Sequence, residues 1–145
     1  MIGLIQRVKH ASVMINSTRV AEIAQGILLF IAVEKNDNEG KAQKLCEKVL
    51  NYRIFADDDG KMNLNLKQVG GELLVVSQFT LAAETKKGNR PGFSAAASPL
   101  LGRDMYDYFL NLAKQYEVPI KCGEYGADMQ VSLVNNGPVT FLLKV

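Results

Sequence analysis

The stretch Glu72-Leu73-Leu74-Val75-Val76-Ser77-Gln78-Phe79-Thr80-Leu81 restricts the fold more than any other in the chain. Four consecutive apolar residues, Leu73, Leu74, Val75 and Val76, read as a strand covered on both faces. The run then changes abruptly to two hydroxyls, an amide and an aromatic ring. Such residues continue a core strand poorly. They suit its end, where backbone N–H groups and short polar side chains can face a ligand.

The rest of the chain is consistent with a sheet around that strand. Residues 2–15 read as one long strand, or as two with a bend at Lys9 and His10, and residues 26–33 as a second apolar strand. Asn16, Ser17 and Thr18 mark a hairpin turn between them, with a short return strand over residues 19–24. Asn36, Asp37 and Asn38 form an N-cap cluster, with Glu39 placed where the helix dipole favours a negative charge. Ala42, Leu45, Cys46, Val49 and Leu50 then recur at helical spacing. Ser98 caps a second helix with Pro99 in its first turn, and Leu101, Met105, Tyr108, Phe109, Leu112 and Tyr116 make its expected buried stripe. Residues 118–121, 129–134 and 139–145 are strand-like, and Asn135-Asn136-Gly137-Pro138 reads locally as a hairpin turn between the last two. The predicted architecture is α+β, with mixed or antiparallel sheets curled toward a barrel and two main helices packed outside.

At 145 residues the chain reads as one domain over residues 1–145, able to bury roughly two-thirds of its unfolded surface. It has no run near the ~20 apolar residues of a membrane helix, and its start lacks the pattern of a signal peptide. The cytoplasm is the expected location, with no membrane partner. Cys46 and Cys122 are far apart with no histidine nearby, which argues for free thiols over structural zinc. A formal charge of +2 permits nucleic-acid binding only if positive charge is clustered. Such a cluster exists: Lys86, Lys87 and Arg90, followed by Phe93, lie in an aperiodic stretch over residues 82–97. Their functional reading is a phosphate contact with an aromatic platform for a base, against a merely solvated loop. The acidic run Asp57-Asp58-Asp59-Gly60 lacks the spaced ligands of a calcium loop and reads as a turn.

The inventory excludes several chemistries. His10 is the sole histidine and has no local partner, so triads and His-rich metal sites find no support. Paired-carboxylate chemistry is not excluded, but no acidic residue lies in the Ser77 or Gly137 stretches, and no glycine-rich phosphate loop opens a helix. What remains is hydroxyls and backbone amides, able to bind an oxyanion but not to activate a strong nucleophile. A labile, activated ester suits such a site; no cofactor and no metal is expected.

Ser77-Gln78-Phe79-Thr80-Leu81 and Asn135-Asn136-Gly137-Pro138-Val139-Thr140 together resemble the two signature motifs of the D-aminoacyl-tRNA deacylases. Gln6-Arg7-Val8, Lys87-Gly88-Asn89-Arg90-Pro91 and Gly126-Ala127-Asp128-Met129-Gln130-Val131 match as well, so the resemblance spans essentially the whole chain. Asn136 stands where relatives often carry aspartate, and Gly92 where serine is common; neither position is chemical. The resemblance implies an enzyme hydrolysing the ester between a D-amino acid and the 3′ end of tRNA. It further implies a homodimer with active sites at the subunit interface. There a cis Gly137–Pro138 unit enters the partner's pocket and excludes L side chains, while glycyl-tRNA, as when glycine is mischarged on tRNA-Ala, passes. Thr80, Ser77, Gln78 and Phe79 are the implied catalytic residues. Gly137, Pro138, Arg7 and Met129 are implied in substrate binding and chiral selection, with Arg7 bracing the partner's Gly137–Pro138 segment. Lys86, Lys87, Arg90 and Phe93 would meet tRNA. Thr80 could be a nucleophile, or it could position substrate while amides near Gln78 and Phe79 hold the carbonyl and the ribose 2′-hydroxyl assists water. The side-chain inventory favours the second. A non-enzymatic RNA-binding module, including one related to threonyl-tRNA synthetase editing domains, is the alternative.

Overall fold

The computed structural model describes all 145 residues. The strands are β1 (Ile2–Ile15), β2 (Thr18–Ile23), β3 (Gly26–Ala32), β4 (Phe55–Ala56), β5 (Met62–Leu64), β6 (Glu72–Ser77), β7 (Ile120–Cys122) and β8 (Gln130–Lys144). Two helices complete the chain, α1 (Glu39–Asn51) and α2 (Pro99–Ala113). β1 is one continuous strand and the spine of the sheet. It pairs antiparallel with β2, β3 and β8, and β6 joins β3 and β7 in parallel. The strand order is β2-β1-β3-β6-β7, with β8 on the other edge of β1. β2, at one end of that order, touches β6 and β7 at the other. The mixed sheet is therefore curled almost into a barrel, as the sequence predicts.

Alternation along the central strands explains why both faces are apolar. Leu28, Leu74 and Val76 point into the barrel with Val8, Ala11, Val13 and Ile23. Ile27, Leu29, Leu73 and Val75 point outward, into a larger core shared with Leu45 and Val49 of α1 and Phe109 and Ala113 of α2. Burial of these side chains supplies the main drive for folding. Asn38 caps α1 through its side chain, which accepts from Lys41 N–H, and Ser98 caps α2 by accepting from Leu101 N–H. Cys46 is buried in this core, and desolvation, aided by Glu47, pushes its thiol up to about 12.

Three local features correct or extend the expectations. First, the buried stripe of α2 consists of Gly102, Tyr106, Phe109, Leu110 and Ala113. Leu101, Met105, Tyr108 and Leu112 flank it only partly buried, and Tyr116 is exposed. The stripe is displaced by one residue, and it begins at a glycine, which carries no hydrophobic signal. Second, the acidic turn closes a short β4–β5 hairpin that the sequence did not suggest. Asp57 Oδ1 accepts from the N–H groups of Asp59 and Lys61, and Gly60 takes the left-handed conformation the turn needs.

Third, residues 135–138 are no hairpin turn. They lie inside β8, which pairs with β1 on both sides of them. Gln6 faces Thr140 and Val8 faces Asn135, so β1 advances two residues while β8 advances five. The surplus is thrown out of the ladder as a bulge, and Gly137 and Pro138 at its crest are exposed. The Gly137–Pro138 peptide is cis.

Candidate active site

β6 ends at Ser77, and the chain turns at once into a single 3-10 turn, Phe79–Ala82. Thr80 therefore sits on this turn, not on the strand end. Ile2, Ala32 and Ala82 pack together beneath it with Leu81 and Ala96, fixing the turn on the sheet. Gln78 N–H donates to the Ile31 carbonyl at 2.8 Å. That amide is consumed by the sheet, so the expected role of the Gln78 N–H in holding a substrate carbonyl is withdrawn. The Gln78 side chain does something else: its Nε2 donates to Thr80 Oγ1 at 2.5 Å. The hydroxyl is thereby oriented, with its own hydrogen left to donate. An amide cannot take a proton from it, so this contact does not activate Thr80 as a nucleophile.

Ser77, Gln78 and Phe79 open onto a cleft of about 560 Å³ whose other walls include Phe93, Ala96, Ala97, Tyr125, Asp128 and Met129. The Phe79 and Phe93 rings, 56% and 41% exposed, meet at 5.0 Å with their planes inclined at 51°. Together they make an apolar rim suited to a planar group. Met129 fits because Gly123 lacks a side chain: a β-carbon there would lie 2.5 Å from the Met129 sulfur. Asp128 is the one carboxylate of the lining. His10 is exposed on β1, opposite Val134, and does not line the cleft.

Lys86, Lys87 and Arg90 are exposed on a loop whose neck is closed by reciprocal hydrogen bonds between Glu84 and Gly92, at 2.7 and 3.0 Å. Phe93 follows the neck directly, so the basic loop begins at the rim of the cleft.

Arg7, Gly137 and Pro138 form a second group. None of them lines the cleft within the single chain. Arg7 Nε donates to the Asn136 carbonyl at 2.8 Å and its guanidinium reaches the Ile54 carbonyl at 2.6 Å. Arg7 thus braces the bulge of its own chain. Because Asn136 contributes its backbone here, its side-chain identity matters little to this contact. Sequence reasoning missed Asn135 as an individual: its amide accepts from Val139 N–H at 2.9 Å and donates to the Val139 carbonyl at 3.1 Å. It also donates to Thr140 Oγ1 at 3.2 Å, which Gln6 Nε2 shares at 3.1 Å. An asparagine flanking a bulge can stand in for a missing strand partner, which was the available signal.

These two groups carry the motifs that define a known family. The family model described as D-Tyr-tRNA(Tyr) deacylase matches residues 4–144. The chain belongs to the D-Tyr-tRNA(Tyr) deacylase family. It is similar, at 64% identity over all 145 residues and the full length of both proteins, to a D-aminoacyl-tRNA deacylase of Pseudoalteromonas atlantica. A D-aminoacyl-tRNA deacylase of Escherichia coli O81 is 57% identical over the same full length. Among solved structures, that of a c-Myc DNA Unwinding Element Binding Protein superimposes with a TM-score of 0.94 at 36% identity, covering 100% of this chain and 99% of the other. In this deacylase-family chain, both signature motifs, apart from the buried Val139, occupy exposed or half-exposed positions at the end of β6 and in the β8 bulge.

No helix is long and apolar enough to cross a membrane.

Proposed function

We propose that the chain hydrolyses the ester joining a D-amino acid to the 3′ end of tRNA, releasing free D-amino acid and tRNA. The observation that carries this is the family match over residues 4–144; Ser77, Gln78 and Phe79 of the first motif line a cleft with an apolar rim, and Thr80 is exposed on the turn that follows them. The ester is already activated, so a site that binds and orients is chemically sufficient. Thr80, oriented by Gln78, donates to the substrate. Water attacks the ester carbonyl, and the ribose 3′-oxygen leaves with the proton that water gives up. The 2′-hydroxyl of the terminal ribose assists; the cleft lining holds no histidine or lysine, and Asp128 is its one carboxylate.

Handedness is read by main chain. The crest of the bulge, Gly137 and Pro138, is exposed, stiffened by Asn135 and Arg7, and absent from the cleft of its own chain. In a homodimer it enters the cleft of the partner subunit, where its carbonyls take the substrate's amino group and leave no space for an L side chain. Glycyl-tRNA, including glycine mischarged on tRNA-Ala, then passes the same filter. Lys86, Lys87 and Arg90 contact tRNA phosphates, and the enzyme works in the cytoplasm on its tRNA substrate.

The test compares D-tyrosyl-tRNA with L-tyrosyl-tRNA, following release of the amino acid. Rapid loss of the D ester alone is expected; loss of neither would favour a binding module. Thr80→Ala retaining full hydrolysis would remove the positioning role, and normal cleavage of a substrate ending in 2′-deoxyadenosine would remove the ribose-assisted route.

A further inference from the structure

Tyr125 forms one wall of the cleft, and its position is set from behind by α2. A β-carbon on Gly102 would lie 2.1 Å from the Tyr125 hydroxyl oxygen, 3.2 Å from Cζ and 3.6 Å from Cε2. The phenol therefore rests directly on the backbone of the helix, in space that only glycine leaves open. Gly102 does not line the cleft; it borders a cavity of about 20 Å³ behind Ser77, Gln78 and Phe79, which Tyr125 also borders. Arg103, the next residue, completes the hold. Its guanidinium lies 5.3 Å from the centre of the Tyr125 ring and donates to the Tyr125 carbonyl at 3.3 Å. On the inner side stands Tyr106, with its ring 5.7 Å away. Tyr106 is itself immobilised, its buried hydroxyl sharing the Val75 carbonyl at 3.0 Å and the Gly123 carbonyl at 3.2 Å.

The ring is thus confined on three sides and free on one, the side of the cleft. We infer that Gly102 is a positioning residue that sets the width of the substrate cleft through Tyr125, although it touches no substrate itself. This role for Gly102 rests on the reading of this cleft as the deacylase site. A side chain at position 102 collides with the far end of a rotatable ring, not with backbone. The ring yields, and the space available to it lies in the cleft beside Phe93 and Met129. Substrate binding then weakens while the hydroxyl group of Thr80, on a different element, keeps its place. The helix tolerates the change, since alanine is a better helix former than glycine.

Gly102→Ala should raise KM for D-tyrosyl-tRNA by about tenfold or more, with kcat held within about twofold, the pattern of lost ground-state binding. The collision is chiefly with the hydroxyl oxygen. In the background of Tyr125→Phe, which leaves Cζ at 3.2 Å as the nearest atom, adding Gly102→Ala should therefore change KM by less than about twofold. An equal KM rise in both backgrounds, or a folded Gly102→Ala protein with wild-type KM, overturns the proposal. So does a loss of folding by Gly102→Ala that persists in the double variant, because the space would then serve helix packing alone. Crystal structures of the wild type and Gly102→Ala report the ring position without any substrate. Inactivity of the wild type on D-tyrosyl-tRNA would count against the functional reading, whereas an unmoved Tyr125 ring counts against this inference.

Discussion

A β-carbon placed on Gly137 would lie 2.5 Å from the backbone nitrogen of Val139 and 2.6 Å from its Cγ2. The crest of the bulge is folded so tightly on itself that glycine is required by contact, not by an unusual φ. Backbone cannot yield as a side-chain tip does. Gly137→Ala should therefore reshape the crest, lowering kcat/KM for D-tyrosyl-tRNA by about 100-fold and stability by about 1–3 kcal/mol. Single-turnover hydrolysis together with thermal unfolding checks this. Wild-type rates in a folded variant would remove the crest from the chemistry.

Asn135 supplies the clamp that closes the same bulge. Val139 is buried, and its N–H donates to Asn135 Oδ1 at 2.9 Å. Asn135→Ala leaves that donor without a partner, at a cost of about 1–3 kcal/mol. The urea midpoint should fall with an unchanged slope, both proteins being compared at one concentration because association would add to apparent stability. A midpoint equal to wild type would show that water replaces the amide fully.

Asp37 predicts a pH dependence unconnected with catalysis. Burial alone raises its pKa. Hydrogen bonds from the Met1 amino group at 2.7 Å, Glu34 N–H at 2.7 Å and Lys41 Nζ at 2.9 Å outweigh burial and hold the carboxyl below its ordinary value. A carboxyl with a lower pKa in the folded state stabilises the fold above its unfolded pKa of about 3.9. That contribution is lost as pH falls from there through the folded value. Asp37→Asn should be less stable at neutral pH by about 3 kcal/mol, with a flatter decline below pH ~4. Urea midpoints from neutral pH to about pH 3 decide it: parallel curves for the two proteins would mean that Asp37 is not the titrating group.

What could be read from the sequence follows from how local each signal is. The two-sided apolar runs at Leu73–Val76 in β6 and in β3 announced central strands, because burial on both faces leaves no polar alternation. Asn38 and Ser98 announced the helix starts, because a cap bonds only three residues ahead. The β8 bulge was illegible for the opposite reason. Asn135-Asn136-Gly137-Pro138 satisfies the rules of a hairpin turn, and what overrides them is pairing with β1 from the far end of the chain. The cleft divides in the same way. Ser77, Gln78 and Phe79 stand out as polar and aromatic residues ending an apolar strand, whereas the place of Tyr125 depends on an absent side chain at Gly102 in another element.

The basic loop yields a prediction with a quantitative signature. Lys86, Lys87 and Arg90 are exposed, form no ion pair with any acidic side chain, and stand on a neck that leads directly into Phe93 at the cleft rim. If they contact phosphates, each releases counterions on binding, and log K falls with log salt by roughly 0.7–0.9 per contact. Replacing all three by glutamine should raise KM and reduce the salt slope of log(kcat/KM) by about 2. The rate at saturating substrate and the preference for the D ester should not change, since neither Thr80 nor the β8 crest is touched. Initial rates between about 50 and 200 mM salt measure the slope. An unaltered slope would make this a solvated loop and move the tRNA contact to another face.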